Sequence, residues 1–250
     1  MKIFAIADIH GCYDELMALY KKLPINPEKD IMVFCGDHID RGPDSKKVVQ
    51  QLMDWKEKYP HWQVIYGNHE DLMLDALLYN GRKYDSYELW YEQGGRETFF
   101  SYLPDELKAK DLTEEQKYER ALLNPQHIIP QEHLIFLASC PRLFETDDYI
   151  FVHGGLRPGV SVEDQKESDL IWIRDEFIDS EYDWGKKVIF GHTCDYQGKY
   201  NKKKKYTPIV TMKNKIGIDT AVCQPTQNGL TCIELPKEKF YFQPSFKNAT

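Results

Sequence analysis

The chain has 250 residues, of which 42% are hydrophobic and 29% are charged, so it can form one large packed domain or two small ones. Its formal net charge of −8 argues against nucleic acid as a partner, because binding to a phosphate backbone needs a positive surface. No run reaches the roughly 18 apolar residues that a membrane span needs, and the short apolar N-terminus leads directly into Asp8. We therefore expect a soluble, cytoplasmic protein with no membrane partner.

The first third of the chain alternates predicted strands and helices. Hydrophobic runs predict strands at residues 2–7, 31–35 and 63–66. Apolar residues at helical spacing predict helices at residues 13–23 and 45–58, with a third helix beginning at Glu70. This order predicts a parallel sheet with helices packed on it.

The rest of the chain has a different pattern. Residues 80–130 are helical in propensity and rich in Tyr, which predicts a helical insertion beside the functional site. Short predicted strands then follow at residues 143–145, 149–152, 187–190, 215–219, 230–235 and 240–242. They predict a second, more antiparallel sheet stacked on the first. We expect an α/β fold of two stacked mixed sheets flanked by helices, in a single domain over residues 1–250.

Two further features have ordinary explanations. The run Lys202–Lys205 is typical of a solvated loop, although a basic rim that attracts an anionic substrate is an alternative. Six cysteines form no C-x-x-C pair and no regular spacing, which favours reduced thiols in a cytosolic protein.

Six short segments contain most of the Asp, His and Asn residues that are candidates for metal binding or catalysis. Five of these segments lie directly after a predicted strand or near its end. These segments are residues 8–11, 36–42, 67–70, 153–155, 172–174 and 191–193. Strands of one sheet end at a common edge, so the loops that follow them can form one pocket. Oxygen and nitrogen ligands without thiolates suit Mn²⁺, Fe²⁺ or Zn²⁺. The sequence therefore indicates a metalloenzyme.

Individual side chains in these segments have distinct ligand chemistry. In an extended backbone, Asp8 and His10 would project to the same side, and Asp37 follows the second strand in an equivalent position. A carboxylate can bridge two metal ions. A neutral oxygen is available from Asn68, and imidazole nitrogens from His153 and His192. One such residue alone would more often be a turn or cap residue, but the whole set is hard to explain in that way.

These motifs together resemble the calcineurin-like metallophosphoesterases, specifically the phosphoprotein-phosphatase type. The similar segments include Gly36-Asp37-His38-Ile39-Asp40-Arg41-Gly42, Gly67-Asn68-His69-Glu70, His153-Gly154-Gly155 and Gly191-His192. The resemblance covers essentially the whole chain. Trp90 with Gly94-Gly95, the segment 171–177 and Gly217-Ile218-Asp219-Thr220 resemble bacterial members in particular.

The resemblance implies a dinuclear metal centre with a hydroxide, bridging the two metals, as nucleophile. One metal would be held by Asp8, His10 and Asp37. Asp37 would bridge to a second metal held by Asn68, His153 and His192. Arg41 and Arg174 would bind the phosphoryl oxygens, and His69, supported by Asp40, would be the proton donor. The two divalent ions are expected to be Mn, with Fe and Zn as alternatives.

Three positions depart from the family pattern. Ala7 stands where Gly is usual, and a strand end should tolerate this change. His38 stands where Tyr is common, and we expect it to be a partly exposed residue around the site and not an additional ligand. Ala221 follows Asp219-Thr220 where Gly is usual, which leaves the role of Asp219 open.

The expected activity is hydrolysis of phosphoserine or phosphothreonine in proteins. The alternatives are hydrolysis of diadenosine tetraphosphate or another nucleotide and, from a different class, a catalytically silent module that binds phosphorylated ligands. A dinucleotide hydrolase needs an aromatic surface for adenine. This surface could come from Tyr84, Tyr87, Trp90 and Tyr91, although helix packing explains these residues equally well.

Overall fold

Strands and helices alternate along the computed structural model, which describes residues 1–78, 87–104, 113, 128–195, 197–200, 207–211, 214–224 and 228–246. The strands are β1 (Ile3–Ile6), β2 (Ile31–Cys35), β3 (Gln63–Ile65), β4 (Leu143–Glu145), β5 (Tyr149–Val152), β6 (Lys187–Phe190), β7 (Ile209–Val210), β8 (Lys215–Gly217), β9 (Gly229–Leu235) and β10 (Lys239–Pro244). The helices are α1 (Tyr13–Lys22), α2 (Ser45–Lys58), α3 (Asn68–Leu78), α4 (Tyr87–Trp90), α5 (Arg96–Tyr102), α6 (Gln131–Ser139), α7 (Glu167–Trp172) and α8 (Asp175–Ile178). A π-helical turn, Tyr91–Gly95, joins α4 to α5.

The strands form two five-stranded sheets in the orders β10-β9-β1-β2-β3 and β4-β5-β6-β8-β7. Each sheet contains two parallel and two antiparallel strand pairs. The predicted fold of two mixed sheets flanked by helices is confirmed. The prediction that the second sheet is the more antiparallel one is wrong, because β9 and β10 join the first sheet through β1. Local alternation of apolar residues indicates a strand but does not specify its neighbour.

Alternate residues of the central strands face two different cores. Phe4 and Ile6 of β1 belong to the large core that includes helix residues such as Leu16. Ile3 and Ala5 belong to a second core that contains Phe151 of the other sheet. Each sheet is therefore buried on both faces, and its parallel strands end in loops at one edge.

Some predicted elements differ from those observed. Helix α3 begins at Asn68 and not at Glu70, and the sequence did not indicate the short helices α7 and α8. The predicted insertion is helical over 87–104, apart from the residues that end α5, but much of 80–130 lies outside the described residues, as do Tyr84 and Lys202–Lys205. Within the described ranges, no helix has both the length and the apolar character needed to cross a membrane.

Candidate active site

The loops after the strands have strained backbones. The residues with positive φ include Asp8 (54°), His10 (46°), Asp37 (52°) and His192 (62°). Asp8 and His10 are therefore not extended, and the expectation that strand alternation aligns their side chains is wrong. Left-handed conformations of non-glycine residues cost about 1–3 kcal/mol each and persist where surrounding contacts enforce them. Here the His10 N–H donates to the Asp37 carbonyl at 2.9 Å, which couples two of these loops.

The Glu70 carboxylate holds the loop around Asp37 in place. It is completely buried and accepts hydrogen bonds from the backbone N–H groups of Gly67 (2.8 Å), Asp37 (3.0 Å) and His38 (2.8 Å). Sequence reasoning gave Glu70 no role. A signal was present, because a Glu at the third position of a helix often bonds back to the N-cap backbone.

Hydrogen bonds fix the tautomers of two histidines. Nδ1 of His10 donates to the Ile39 carbonyl at 2.8 Å, and Nδ1 of His153 donates to the Cys35 carbonyl at 2.9 Å. These bonds leave each Nε2 unprotonated in the neutral ring, with a lone pair that can accept. Burial lowers the pKa of His10 and of His192 well below the usual range, so both are neutral at pH 7. Neutral imidazoles held in this way are suited to bind a metal.

Two groups of buried ligands share Asp37. The first group contains His10, Asp37 and His69, and the second contains Asp37, His153 and His192; within each group the ligand atoms lie within 4.8 Å of one another. Asn68 joins the second group, with its Oδ1 2.9 Å from Nε2 of His153. Burial alone would raise the pKa of Asp37, but the surrounding histidines, His153 foremost, hold it well below its usual range.

Asp8 lies beside both groups without belonging to either. Its carboxylate accepts the His192 N–H at 2.9 and 3.0 Å. Burial and the nearby carboxylates of Asp219 and Asp37 raise the pKa of Asp8 well above its usual range. A divalent cation would relieve this repulsion, and the oxygen and nitrogen donors suit such an ion. The residues present therefore fit a dinuclear centre.

His69 and Asp40 form a buried pair. Nδ1 of His69 donates to Oδ2 of Asp40 at 2.7 Å. Asp40 is fully buried and also accepts hydrogen bonds from Nε1 of Trp90 (3.1 Å) and the Thr98 hydroxyl (2.6 Å). Burial opposes protonation of His69, but Asp37 and Asp40 outweigh it and raise the pKa of the imidazole. The raised pKa keeps His69 protonated to a higher pH than an ordinary histidine, as a proton donor requires.

Two contacts of Asp40 were not anticipated from the sequence. Trp90 is completely buried, so it packs within the helical segment and cannot provide a surface for adenine. Thr98 gave no sequence signal, because its partner lies 58 residues away in the chain.

We expect Thr98→Val to lower the kcat of the expected phosphoester hydrolysis by about 10-fold, because supporting hydrogen bonds to a site commonly contribute 10–100-fold. The loss of a donor should let Asp40 and the attached imidazole rotate. Ser101→Ala on the same helix is the control, since Ser101 donates to the Thr98 carbonyl and has no bond to Asp40. A higher KM with an unchanged kcat, or an equal fall in kcat in Ser101→Ala, would contradict a positioning role.

Two arginines lie on either side of the ligand groups. Nη1 of Arg41 is 2.8 Å from Nε2 of His10, and Nη1 of Arg174 donates to the His192 carbonyl at 2.5 Å. Both side chains retain exposure. Gly94, with φ of 111°, lets the backbone approach Arg41, because a Cβ there would lie 2.6 Å from the Arg41 Cγ. The N–H of Arg41 also donates to the Gly94 carbonyl at 3.0 Å.

The structure shows the surroundings of two of the three departures from the family pattern, His38 and Ala221. His38 is completely buried, with Nε2 2.9 Å from the Ile65 carbonyl, so the expectation of partial exposure is wrong. His38 is not among the ligand groups found in the described residues. Ala221 has a φ of 56°, and its N–H donates to Oδ1 of Asp219 at 2.8 Å. Asp219 therefore stabilises a strained turn.

We expect Ala221→Gly to stabilise the protein by about 0.5–1 kcal/mol. Removing the Cβ relieves left-handed strain of about 1–2 kcal/mol, while the extra freedom of the unfolded chain offsets about 0.4–1 kcal/mol. Urea unfolding measures the difference. Gly159 is open to solvent with a φ of 79°, and Gly159→Ala should change stability in the opposite direction. Destabilisation by Ala221→Gly would contradict the assignment of strain.

Comparison with known proteins gives consistent matches. The calcineurin-like phosphoesterase family matches residues 1–216. Serine/threonine-protein phosphatase 2 of Salmonella typhimurium is 27% identical over 228 residues, covering 87% of this chain and 86% of that protein. A symmetrical bis(5'-nucleosyl)-tetraphosphatase of Buchnera aphidicola is 41% identical over 93 residues, but the match covers 37% of this chain and only 32% of that protein. A crystal structure provisionally named a diadenosine tetraphosphatase has the same fold, with a TM-score of 0.63 and 20% identity, over 98% of this chain and 94% of that one.

Proposed function

The chain belongs to the calcineurin-like phosphoesterase family and is a metal-dependent phosphoesterase, and we propose that it is a serine/threonine protein phosphatase. The match to a relative with that name extends over most of both chains. The matches to tetraphosphatases have higher identity but cover about a third of those proteins or less. Sequence similarity therefore supports the protein phosphatase over most of its length and the nucleotide hydrolase over one segment.

In this proposal, the ligand groups hold two divalent metals, with Mn²⁺ as the preferred ion. Asp8, His10 and Asp37 would hold the first metal; the second would be held by Asp37, Asn68, His153 and His192. When bound, the two ions supply Lewis acidity that lowers the pKa of the attacking water and offsets phosphoryl charge. Arg41 and Arg174 bind the phosphoryl oxygens through guanidinium groups, whose planar geometry matches phosphate.

The observation that carries the proposal is the buried Asp40–His69 pair. A serine or threonine alkoxide is a poor leaving group and needs a proton as it departs. A nucleotide leaving from a polyphosphate is a weaker base and needs that proton less. The Asp40 carboxylate orients the imidazole with Nδ1 engaged, so Nε2 of His69 faces the side of Asp37, where it lies 3.9 Å from Oδ2. A proton donor held in this way supports hydrolysis of an alkyl phosphate.

Hydrolysis of diadenosine tetraphosphate is the second candidate, and one observation favours it. The Trp172 ring is 36% exposed and lies edge-on to His192, with ring centroids 5.9 Å apart. An aromatic ring in that position could stack on adenine. Trp90, in contrast, is buried and unavailable.

A substrate panel distinguishes the two candidates. The protein loaded with Mn²⁺ is assayed on phosphoserine and phosphothreonine peptides, a phosphotyrosine peptide, diadenosine tetraphosphate and nitrophenyl phosphate. We expect the highest kcat/KM on the phosphoserine or phosphothreonine peptides. A kcat/KM at least 10-fold higher on the dinucleotide would replace the proposal with the second candidate.

We expect phosphoesterase activity to disappear on exhaustive chelation and to return best with Mn²⁺. Carboxylate and amide oxygens together with imidazoles accept several divalent ions, and Mn²⁺ suits this mixture. Metal binding should also raise Tm, because the ion binds the folded state selectively. Better recovery with Zn²⁺ or Fe²⁺ would contradict the metal assignment, and activity that survives chelation would contradict metal dependence.

A further inference from the structure

The thiols of two cysteines that are distant in sequence meet beside the ligand groups. Sγ of Cys12 lies 3.1 Å from Sγ of Cys223, although the residues are 211 positions apart. Cys12 directly follows the loop that carries Asp8 and His10 and precedes helix α1. Cys223 lies in the turn that follows Asp219. All six cysteines are in the described part of the chain, and none of them forms a disulfide.

The two thiols differ in access to solvent. Cys12 is 2% exposed, whereas Cys223 is partly exposed. The Cys223 thiol also donates to the His10 carbonyl at 3.2 Å, so it contacts the backbone of a candidate metal ligand. An oxidant from solvent would therefore reach Cys223 first, and Cys12 is positioned to react with the product.

The backbones on both sides are well anchored. The Cys12 N–H donates to the Ile9 carbonyl at 3.0 Å, and the Gln224 N–H donates to the Ala221 carbonyl at 3.0 Å. A disulfide has an S–S distance of about 2.05 Å, so the two sulfurs need to approach by about 1 Å. Closing that distance requires rotation of the two side chains with a small shift of the turn.

We propose that Cys12 and Cys223 form a reversible disulfide that lowers the phosphoesterase activity. The Cys223 thiolate attacks a sulfur of a low-molecular-weight disulfide, forms a mixed disulfide and releases one small thiol. The Cys12 thiolate then attacks the Cys223 sulfur, forms the Cys12–Cys223 bond and releases the second small thiol. The two cysteines lose two electrons and two protons, and the external disulfide is reduced to two thiols.

The new bond changes the loop that carries His10. Oxidation removes the S–H of Cys223 and with it the hydrogen bond to the His10 carbonyl. It also pulls Cys12, two residues beyond His10, towards the turn at Asp219. Misplacement of a catalytic group by about 1 Å can cost about 10²-fold in rate. We expect a fall in activity of about 10-fold or more, whichever phosphoester is the natural substrate.

The experiment treats the full chain, loaded with Mn²⁺, with oxidised glutathione, which does not add a redox-active metal. Remaining thiols are alkylated, and peptides are mapped without reduction while nitrophenyl phosphate hydrolysis is followed. We expect a linked pair of peptides containing Cys12 and Cys223, a loss of activity of about 10-fold or more, and recovery of activity after reduction with a dithiol. A glutathione adduct on Cys223 without the linked peptides would overturn the proposal. Linked peptides with unchanged activity would show that the disulfide forms but does not lower the activity, and would overturn the regulatory part of the proposal.

Three variants assign the effect to this pair. In Cys12→Ser, oxidation should stop at a glutathione adduct on Cys223. In Cys223→Ser, whose hydroxyl can still donate to the His10 carbonyl, activity should become insensitive to oxidised glutathione. Cys194→Ser is the matched control, because Cys194 is also partly exposed and lies near the site, and it should retain both the link and the loss of activity. Inactivation of Cys223→Ser to the extent seen in the chain without substitutions would contradict the proposal.

Discussion

Asp37→Asn should lower phosphoesterase activity by more than about 10³-fold, the largest loss expected from any single ligand. Asp37 is the residue common to both ligand groups. Residues that only support metal ligands contribute about 10–100-fold, so a carboxylate that serves two metals should contribute more. The substitution keeps the shape of the side chain but removes the negative charge that faces four histidines.

The test combines kcat for nitrophenyl phosphate with the number of metals bound per chain. Asp71→Asn is the matched control, because Asp71 is also a buried carboxylate but belongs to neither ligand group. It accepts a hydrogen bond from the Tyr66 hydroxyl at 3.1 Å. The control should bind two metals and keep most of its activity. Near-normal activity and two bound metals in Asp37→Asn would refute the bridging role.

The sequence was sufficient to predict which strand ends carry the candidate ligands, but not that two sheets contribute them. Strands that run parallel in one sheet deliver the residues that follow them to one edge, so Asp37 after β2 and Asn68 after β3 could be placed together before any coordinates were known. His153 follows β5 of the other sheet, so the 3.2 Å between its Nε2 and Oδ1 of Asp37 depends on how the two sheets stack, which that reasoning does not supply. The partner of β1 could not be predicted, because pairing with β9 depends on a contact more than 220 residues away.

The supporting residues were harder to predict for a different reason. Glu70 accepts hydrogen bonds from backbone N–H groups. The only sequence signal for such bonds is the position of a Glu in the first turn of a helix. Thr98 lies on a helix outside the strand-loop pattern and donates a tertiary hydrogen bond to Asp40. No sequence pattern indicated this contact. The left-handed backbones of Asp8 and His10 were also hidden, since extended geometry is the ordinary expectation next to a strand.

His69→Asn should slow hydrolysis of a phosphoserine peptide by about 10²–10⁴-fold, the range that general acid catalysis contributes. A serine alkoxide needs a proton as it leaves, and the imidazole held by Asp40 is the group placed to give it. A nitrophenolate leaves readily without a proton, so hydrolysis of nitrophenyl phosphate should fall much less. The ratio of the two losses is therefore the informative quantity.

Metal content must be measured in the same samples, because His69 belongs to the first ligand group and its loss could release an ion. Asp40→Asn provides the second arm of the test. It leaves the imidazole in place but weakens its orientation, so it should produce the same preference for the aryl substrate with a smaller loss. Thr98 and Trp90 donate hydrogen bonds to the same Asp40 carboxylate. Variants that remove either donor should show the same preference for the aryl substrate, with losses still smaller than that of Asp40→Asn. Equal losses on both substrates, with two metals bound, would mean that His69 positions the phosphoryl group and does not donate the proton.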